Sequence, residues 1–161
     1  MSLERVRAYF QALGIADRIM EFEQSSATVD QAAQILGCEK GRVAKTLSFR
    51  LGGRIILVVA SGDTRVDNAK YKARFGRRPS MLTNEEAVTL VGYAVGGICP
   101  FAVNEGVEVY LDQALKRYDS VYPACGSANS LIELTIPELE RYSNSLGWVD
   151  VCRRQGGDRH V

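Results

Sequence analysis

Histidine is nearly absent from this chain: the only one, His160, is the penultimate residue. The body of the sequence therefore has no imidazole to serve as base for a cysteine or serine nucleophile, or to complete a zinc site. The four cysteines, Cys38, Cys99, Cys125 and Cys152, are scattered without a CxxC pair. That pattern excludes a zinc ribbon or a disulfide framework, and a reduced, cytoplasmic setting is expected. Charge of either sign is not in excess, with Lys+Arg 20 against Asp+Glu 19 and a net of +1. A protein that coats nucleic acid indiscriminately is thereby excluded, and any nucleic-acid site must be a local patch. Long apolar runs are missing too. Residues 90–103 carry no charge but contain Gly92, Gly96, Gly97 and Pro100, and they fall short of the ~20 residues that span a bilayer. The first residues lack the apolar segment of a signal peptide, so neither secretion nor a membrane partner is expected.

What is present is ordinary in amount, with 46% hydrophobic and 24% charged residues, as in soluble globular proteins. The sequence shows no repeat or linker, and residues 1–152 read as one mixed α/β domain with residues 153–161 as a frayed tail. Leu3, Val6, Phe10 and Leu13 fall at helical spacing ahead of Gly14, predicting a helix over residues 2–13. Thr28 with Gln31, and Thr83 with Glu86, match capping boxes; Asp67 can cap a third helix, and Thr135, Pro137 and Glu138 start a last one. Residues 45–51 and 54–60 flank Gly52-Gly53, which predicts a tight β-hairpin. The second of these strands is apolar on both faces, so it should be central and covered on both sides. Further strands are expected over residues 19–22, 107–111, 120–122, 131–134 and 148–151.

Lys45 is the anomaly in this pattern. It shares strand parity with Leu47 and Phe49, so its ammonium should project beside apolar side chains. Three readings are open: a lysine that snorkels to the sheet edge or pairs with a carboxylate, a Schiff-base or general-base lysine, and a charged anchor for a phosphate or oxyanion. The loop Gly96, Gly97, Ile98, Cys99, Pro100 reads as a fixed narrow turn. Its glycines would let a ligand approach the backbone closely, and its spacing is neither a Walker loop nor a Rossmann fingerprint. Lys70, Lys72, Arg74, Arg77 and Arg78, interleaved with Tyr71 and Phe75, form either a solvated helix face or a patch for a phosphate backbone. Gly126 and Ser127 begin a small polar stretch that is either a hairpin loop or one wall of a pocket.

Taken in order, residues 28–37 (TVDQAAQILG), 43–49 (VAKTLSF), 58–63 (VVASGD), 65–67 (RVD) and 92–101 (GYAVGGICPF) resemble the YbaK/prolyl-tRNA synthetase-associated editing-domain family over about residues 3–150. The resemblance implies a mixed α/β fold in which helices surround a partly barrel-like central sheet. It implies a trans-acting aminoacyl-tRNA deacylase that hydrolyses mischarged tRNA, typically tRNA(Pro) carrying cysteine, alanine or another small amino acid. A substrate thiol would attack in the cysteinyl case. The family's V-x-K-T-L lysine falls on Lys45, and its GxxxP loop falls on Gly96, Gly97 and Pro100, which makes these the implied catalytic positions. Thr46, Ile98, Cys99, Gly126 and Ser127 would contact substrate, with the Lys45 ammonium facing the loop. Lys70, Lys72, Arg74, Arg77 and Arg78 would bind tRNA. No metal or other cofactor is implied, the partners would be mischarged tRNA and prolyl-tRNA synthetase, and DNA is not expected. The alternative is a non-catalytic module of the same fold that binds tRNA or a small ligand.

Overall fold

The computed structural model describes residues 2–155. Helix α1 (Ser2–Ala12) ends just before Gly14, whose φ of 81° stops it. After the short β1 (Met20–Glu21), Thr28 caps α2 (Val29–Leu36) in a reciprocal box with Gln31, and Gly37 closes the helix in the left-handed region. Strands β2 (Val43–Leu51) and β3 (Arg54–Ser61) pair antiparallel from Leu51 opposite Arg54 to Ala44 opposite Ser61. Strand β4 (Thr64–Val66) then leads to Asp67, which caps α3 (Asn68–Phe75). Helix α4 (Asn84–Glu86) opens on the Thr83–Glu86 box, continues as a π-helical turn over Ala87–Val91 and stops at Gly92. The remainder comprises β5 (Glu108–Asp112), β6 (Ser120–Pro123), β7 (Ser130–Leu131), β8 (Leu134–Thr135), α5 (Ile136–Tyr142), β9 (Gly147–Val149) and β10 (Cys152–Arg154).

Six strands in the order β8-β6-β2-β3-β5-β9 form a mixed sheet that curls into a half-barrel, as the sequence led one to expect. The double covering of β3 is realised. Leu57 and Val59 face a core shared with Val6 and Phe10 of α1, Phe101 and Leu139 of α5, while Ile56, Val58 and Ala60 face Tyr71 of α3. Helix α2 seals a third cluster against Val43 and Leu131. Among the described residues, no helix is long and apolar enough to cross a membrane.

The C-terminal reading needs correction. Instead of fraying, Arg153 and Arg154 continue from Cys152 as a strand paired antiparallel with β4, with Arg153 opposite Arg65, and Gln155 N donates to Asp63 O at 2.9 Å. Residues 156–161, including His160, lie outside the described residues. The expected strand over 148–151 is divided, because the buried Asp112 carboxylate accepts from Val151 N at 2.9 Å and from Ala114 N at 3.0 Å. This bond turns the chain off the six-stranded sheet and toward β4.

Two outcomes follow from local contacts. Arg18 grips Glu138 with both terminal nitrogens, at 3.0 and 2.9 Å, and holds its carboxyl at about 2 against an ordinary 4.5, with the Thr135 amide assisting. A depressed folded pKa gives stability that is present above the unfolded value and lost as pH falls through the folded one. Denaturant titrations at several pH values should therefore show Glu138→Gln flattening the loss of stability between pH 4.5 and about 2. At Gly62 a Cβ would lie 2.3 Å from Lys40 O and 3.0 Å from Val43 O, both backbone, whereas a Cβ at Gly53 meets nothing within 4 Å. Thermal melts should show Gly62→Ala losing about 1–3 kcal/mol and Gly53→Ala close to the parent.

Candidate functional site

The first half of β2 and the loops around it enclose a pocket of about 210 Å³. That is below the roughly 300–1,000 Å³ of sites for drug-sized ligands, so it suits a small group. Strand β2 contributes Ala44, Lys45, Thr46 and Leu47; the segment entering α2 contributes Ser26, Ala27 and Thr28; the glycine loop contributes Val95, Gly96 and Ile98. No carboxylate or imidazole stands among the lining residues.

Strand parity sets Lys45 as expected: its cross-strand neighbour Ala60, the buried Phe49 and the half-buried Leu47 belong to one core cluster. The hydrogen-bond partner of the ammonium lies in β4 and not in the glycine loop. Nζ donates to the carbonyl of Thr64 in β4. Burial pushes the Lys45 pKa down, and the neighbouring Cys152 and Asp63 oppose that shift. Asp63 is itself committed to Arg117, whose Nη1 donates to Oδ2 at 2.9 Å. Lys45 is thus a half-buried cation served by a neutral oxygen, with its nearest carboxylate shared.

Thr46 is 7% exposed, and its Oγ1 has no hydrogen-bond partner among the described residues. An orphaned buried hydroxyl costs about 1–3 kcal/mol, and buried polar atoms are rarely left so. Thr46 is among the residues lining the pocket, one position along β2 from the lysine.

The loop gets its shape from two glycines acting differently. Gly96 has a φ of 102°, and a Cβ there would come 3.2 Å from Ala27 Cβ. A Cβ on Gly97 would lie 2.7 Å from Ser127 N and 2.8 Å from the Gly126 carbonyl carbon. The loop thus rests directly on the backbone of Gly126 and Ser127, two positions the sequence singled out separately. Ser127 Oγ in turn bonds Ser130 Oγ at 2.6 Å, and Ala128 O accepts from Ser26 N at 2.7 Å. Three separated segments are joined by these contacts into one pocket wall.

Of the positions named from sequence, Lys45, Thr46, Gly96 and Ile98 line the pocket, and Gly97, Gly126 and Ser127 support it from behind. Pro100 is buried, and so is Cys99, whose Sγ approaches Phe101 O at 3.8 Å. Burial pushes the Cys99 thiol up to about 12, the state of an inert core cysteine. The Lys70 to Arg78 group is not gathered at the pocket. Lys70 Nζ binds Asp150 Oδ1 and Cys152 O, both at 3.1 Å, and the Arg74 guanidinium lies 5.0 Å from the Phe75 ring centroid. Arg77 packs over Gly52 at the hairpin, roughly 20 Å along β2 from Lys45 at a strand's rise per residue. Lys72 and Arg78 are exposed. The sequence reading missed residues 26–28 as a wall and Thr64 as the lysine's partner. Thr28 had announced only a helix start, and nothing local to Lys45 names Thr64. Among the described residues, no group of three or more His, Cys, Asp and Glu side chains could hold a metal ion.

Known proteins resemble this chain in sequence, and a solved structure resembles it in fold. The uncharacterized protein YwhH of Bacillus subtilis strain 168 is 48% identical over 154 residues, covering 95% of this chain and 98% of that protein. A solved structure, of a candidate trans-editing enzyme for prolyl tRNA synthetase, superposes with a TM-score of 0.84 at 30% identity, covering 96% of this chain and 98% of that one. The proline–tRNA ligase of Bacillus cereus strain AH820 is 26% identical over 102 residues, which is 63% of this chain but only 18% of the ligase. The family description "aminoacyl-tRNA editing domain" matches residues 23–142. That match spans well over half of the sequence and takes in β2, the glycine loop and the wall beneath it, so the chain belongs to the aminoacyl-tRNA editing domain family.

Proposed function

We propose that this chain is an aminoacyl-tRNA deacylase that hydrolyses the ester of mischarged tRNA, with tRNA(Pro) carrying alanine or cysteine as its first candidates. The observation that carries this reading is a small, largely apolar pocket whose one charged lining residue is Lys45 and whose lining holds no carboxylate or imidazole. An aminoacyl ester is already activated, so its hydrolysis needs orientation, a placed water and stabilisation of the tetrahedral oxyanion more than a strong base. In the reaction, water adds to the ester carbonyl, the carbon–oxygen bond to the ribose breaks, and the ribose oxygen leaves with a proton. Lys45 anchors the carbonyl or terminal phosphate, the backbone of the Gly96 to Pro100 loop holds the carbonyl or the water, and Thr46, which lines the pocket one residue along β2, contributes to substrate contact. The pocket's volume admits a small side chain and discriminates against larger ones. Such a second sieve is required where a methylene distinguishes substrates by only ~1–3 kcal/mol. The exposed cations Lys72, Arg74, Arg77 and Arg78 are offered for the tRNA body, and prolyl-tRNA synthetase is the proposed source of substrate.

The test is deacylation of a panel of mischarged tRNAs by purified protein. Alanyl- or cysteinyl-tRNA(Pro) should be cleaved well above the buffer rate while prolyl-tRNA(Pro) is spared. Retention of tRNA with no turnover across the panel would make the chain a binding module instead. Lys45→Ala should lower kcat/KM by about 10²–10³, the loss seen when one oxyanion-stabilising donor is removed; full activity in that variant would refute the assignment.

Thr46→Val separates stability from function. Replacing an unsatisfied hydroxyl by a methyl of similar shape removes a desolvation penalty. Denaturant titration should find this variant as stable as the parent or more so by about 1 kcal/mol, while its deacylation rate falls. Reduced stability together with unaltered activity would mean that Thr46 serves only the fold.

A further inference from the structure

The ribbon of β4 and β10 sets two arginines face to face. Arg65 and Arg153 are direct cross-strand partners, so their side chains leave the ribbon on the same side, and both are exposed. Like charges directly opposite each other on paired strands are destabilising. Neighbouring cations are neutralised, Arg154 by Asp63 and Lys70 by Asp150, but neither Arg65 nor Arg153 makes an ion pair or side-chain hydrogen bond among the described residues. The acid that Arg153 senses is Asp67, whose carboxylate already accepts from Lys70 N at 3.0 Å as the cap of α3. The helix amide is thereby occupied, and the two guanidinium groups are what the surface has to offer. They border an open hollow of about 500 Å³ with Asp67, Asn68 and Ala69.

This ribbon also adjoins the candidate pocket. The oxygen that holds the Lys45 ammonium belongs to Thr64, the residue immediately before Arg65 and the cross-strand partner of Arg154. An acyl group in the pocket would therefore have the paired arginines within a few residues of its anchor. The hairpin end of the Lys70 to Arg78 group lies roughly 20 Å farther along β2.

We propose that Arg65 and Arg153 form a two-guanidinium clamp for a backbone phosphate near the acceptor end of the bound RNA. The proposal rests on the deacylase reading for the identity of the RNA, but the clamp itself is read from the ribbon. Guanidinium forks, here two on the same side of the ribbon, suit the planar, bidentate recognition of phosphate oxygens. A phosphate between them would add to the negative charge that Asp67, already committed to capping α3, supplies only in part.

The experiment compares the parent with Arg65→Gln, Arg153→Gln and the double variant, using Lys116→Gln, an exposed lysine outside the proposed tRNA surface, as a control. The double variant should bind tRNA with a log K against log salt slope shallower by about 1, the signature of one lost phosphate contact. Its KM for the mischarged tRNA that the parent cleaves should rise about tenfold, with kcat little changed. Cleavage of the matching 3′-aminoacyl-adenosine, which has no backbone phosphate, should be unaffected. Thermal stability should hold or rise, because the opposed charges are gone. An unchanged salt slope and KM in the folded double variant would overturn the clamp. Should the parent cleave no ester, the deacylase reading falls alone, and the salt slope with uncharged tRNA still decides the clamp in either direction.

Discussion

Where Gly97 meets Gly126 and Ser127, backbone lies against backbone with no room for a side-chain carbon. The pocket depends on that contact. It seats the glycine loop at a fixed height, and the 126–130 turn beneath it in turn holds residue 26 through Ala128 O. Opposite these loops stands β2, fixed by its long antiparallel ladder with β3, which is buried on both faces. Loops are thus stacked on one another, and the stack is braced against a strand paired along its length with β3. A site that must distinguish small groups by size needs such bracing, because a shift of an ångström would erase the distinction.

Electrostatically the site is economical. It has one cation, a neutral oxygen serving that cation, and an orphaned hydroxyl, with carboxylates kept outside the lining. Such a set can orient and polarise a carbonyl, and it provides no strong side-chain base. That combination fits a substrate whose bond is already activated, and it accords with membership of the editing family. The two buried thiols nearest the loop, Cys99 and Cys125, both have their pKa raised by burial, which withdraws them from nucleophilic roles.

Much of the fold could be read along the chain because its signals are local. Three capping boxes, at Thr28, Thr83 and Thr135, begin their helices where the residue pattern indicates, since each closes within a single turn. The Gly52-Gly53 hairpin is equally local, although only Gly52 uses its positive φ. The parity of Lys45 with Leu47 and Phe49 was legible for the same reason. What eluded the sequence spans long separations: the union of β4 with β10, the Thr64 carbonyl that receives Lys45, and the seating of Gly97 on Ser127. In each case one partner is a backbone atom, which carries no residue-specific signal. The basic run from Lys70 to Arg78 is spread by the fold rather than gathered: Lys70 is tied to β10 and Arg77 packs at the hairpin.

The bond from Lys45 to Thr64 O bears on which visitors the pocket will accept. A resting lysine that already holds an oxygen has nothing to gain from a guest that merely fills space. On the proposed reading it would change partners for a molecule that brings an oxygen of its own, and more readily for one that is charged or becoming so. Admission is in that sense an exchange, in which a hydrocarbon of the right volume has nothing to trade and an acyl oxygen does. Chemical selection would then act alongside selection by size, with the Thr64 carbonyl as the standard that every incoming oxygen must better.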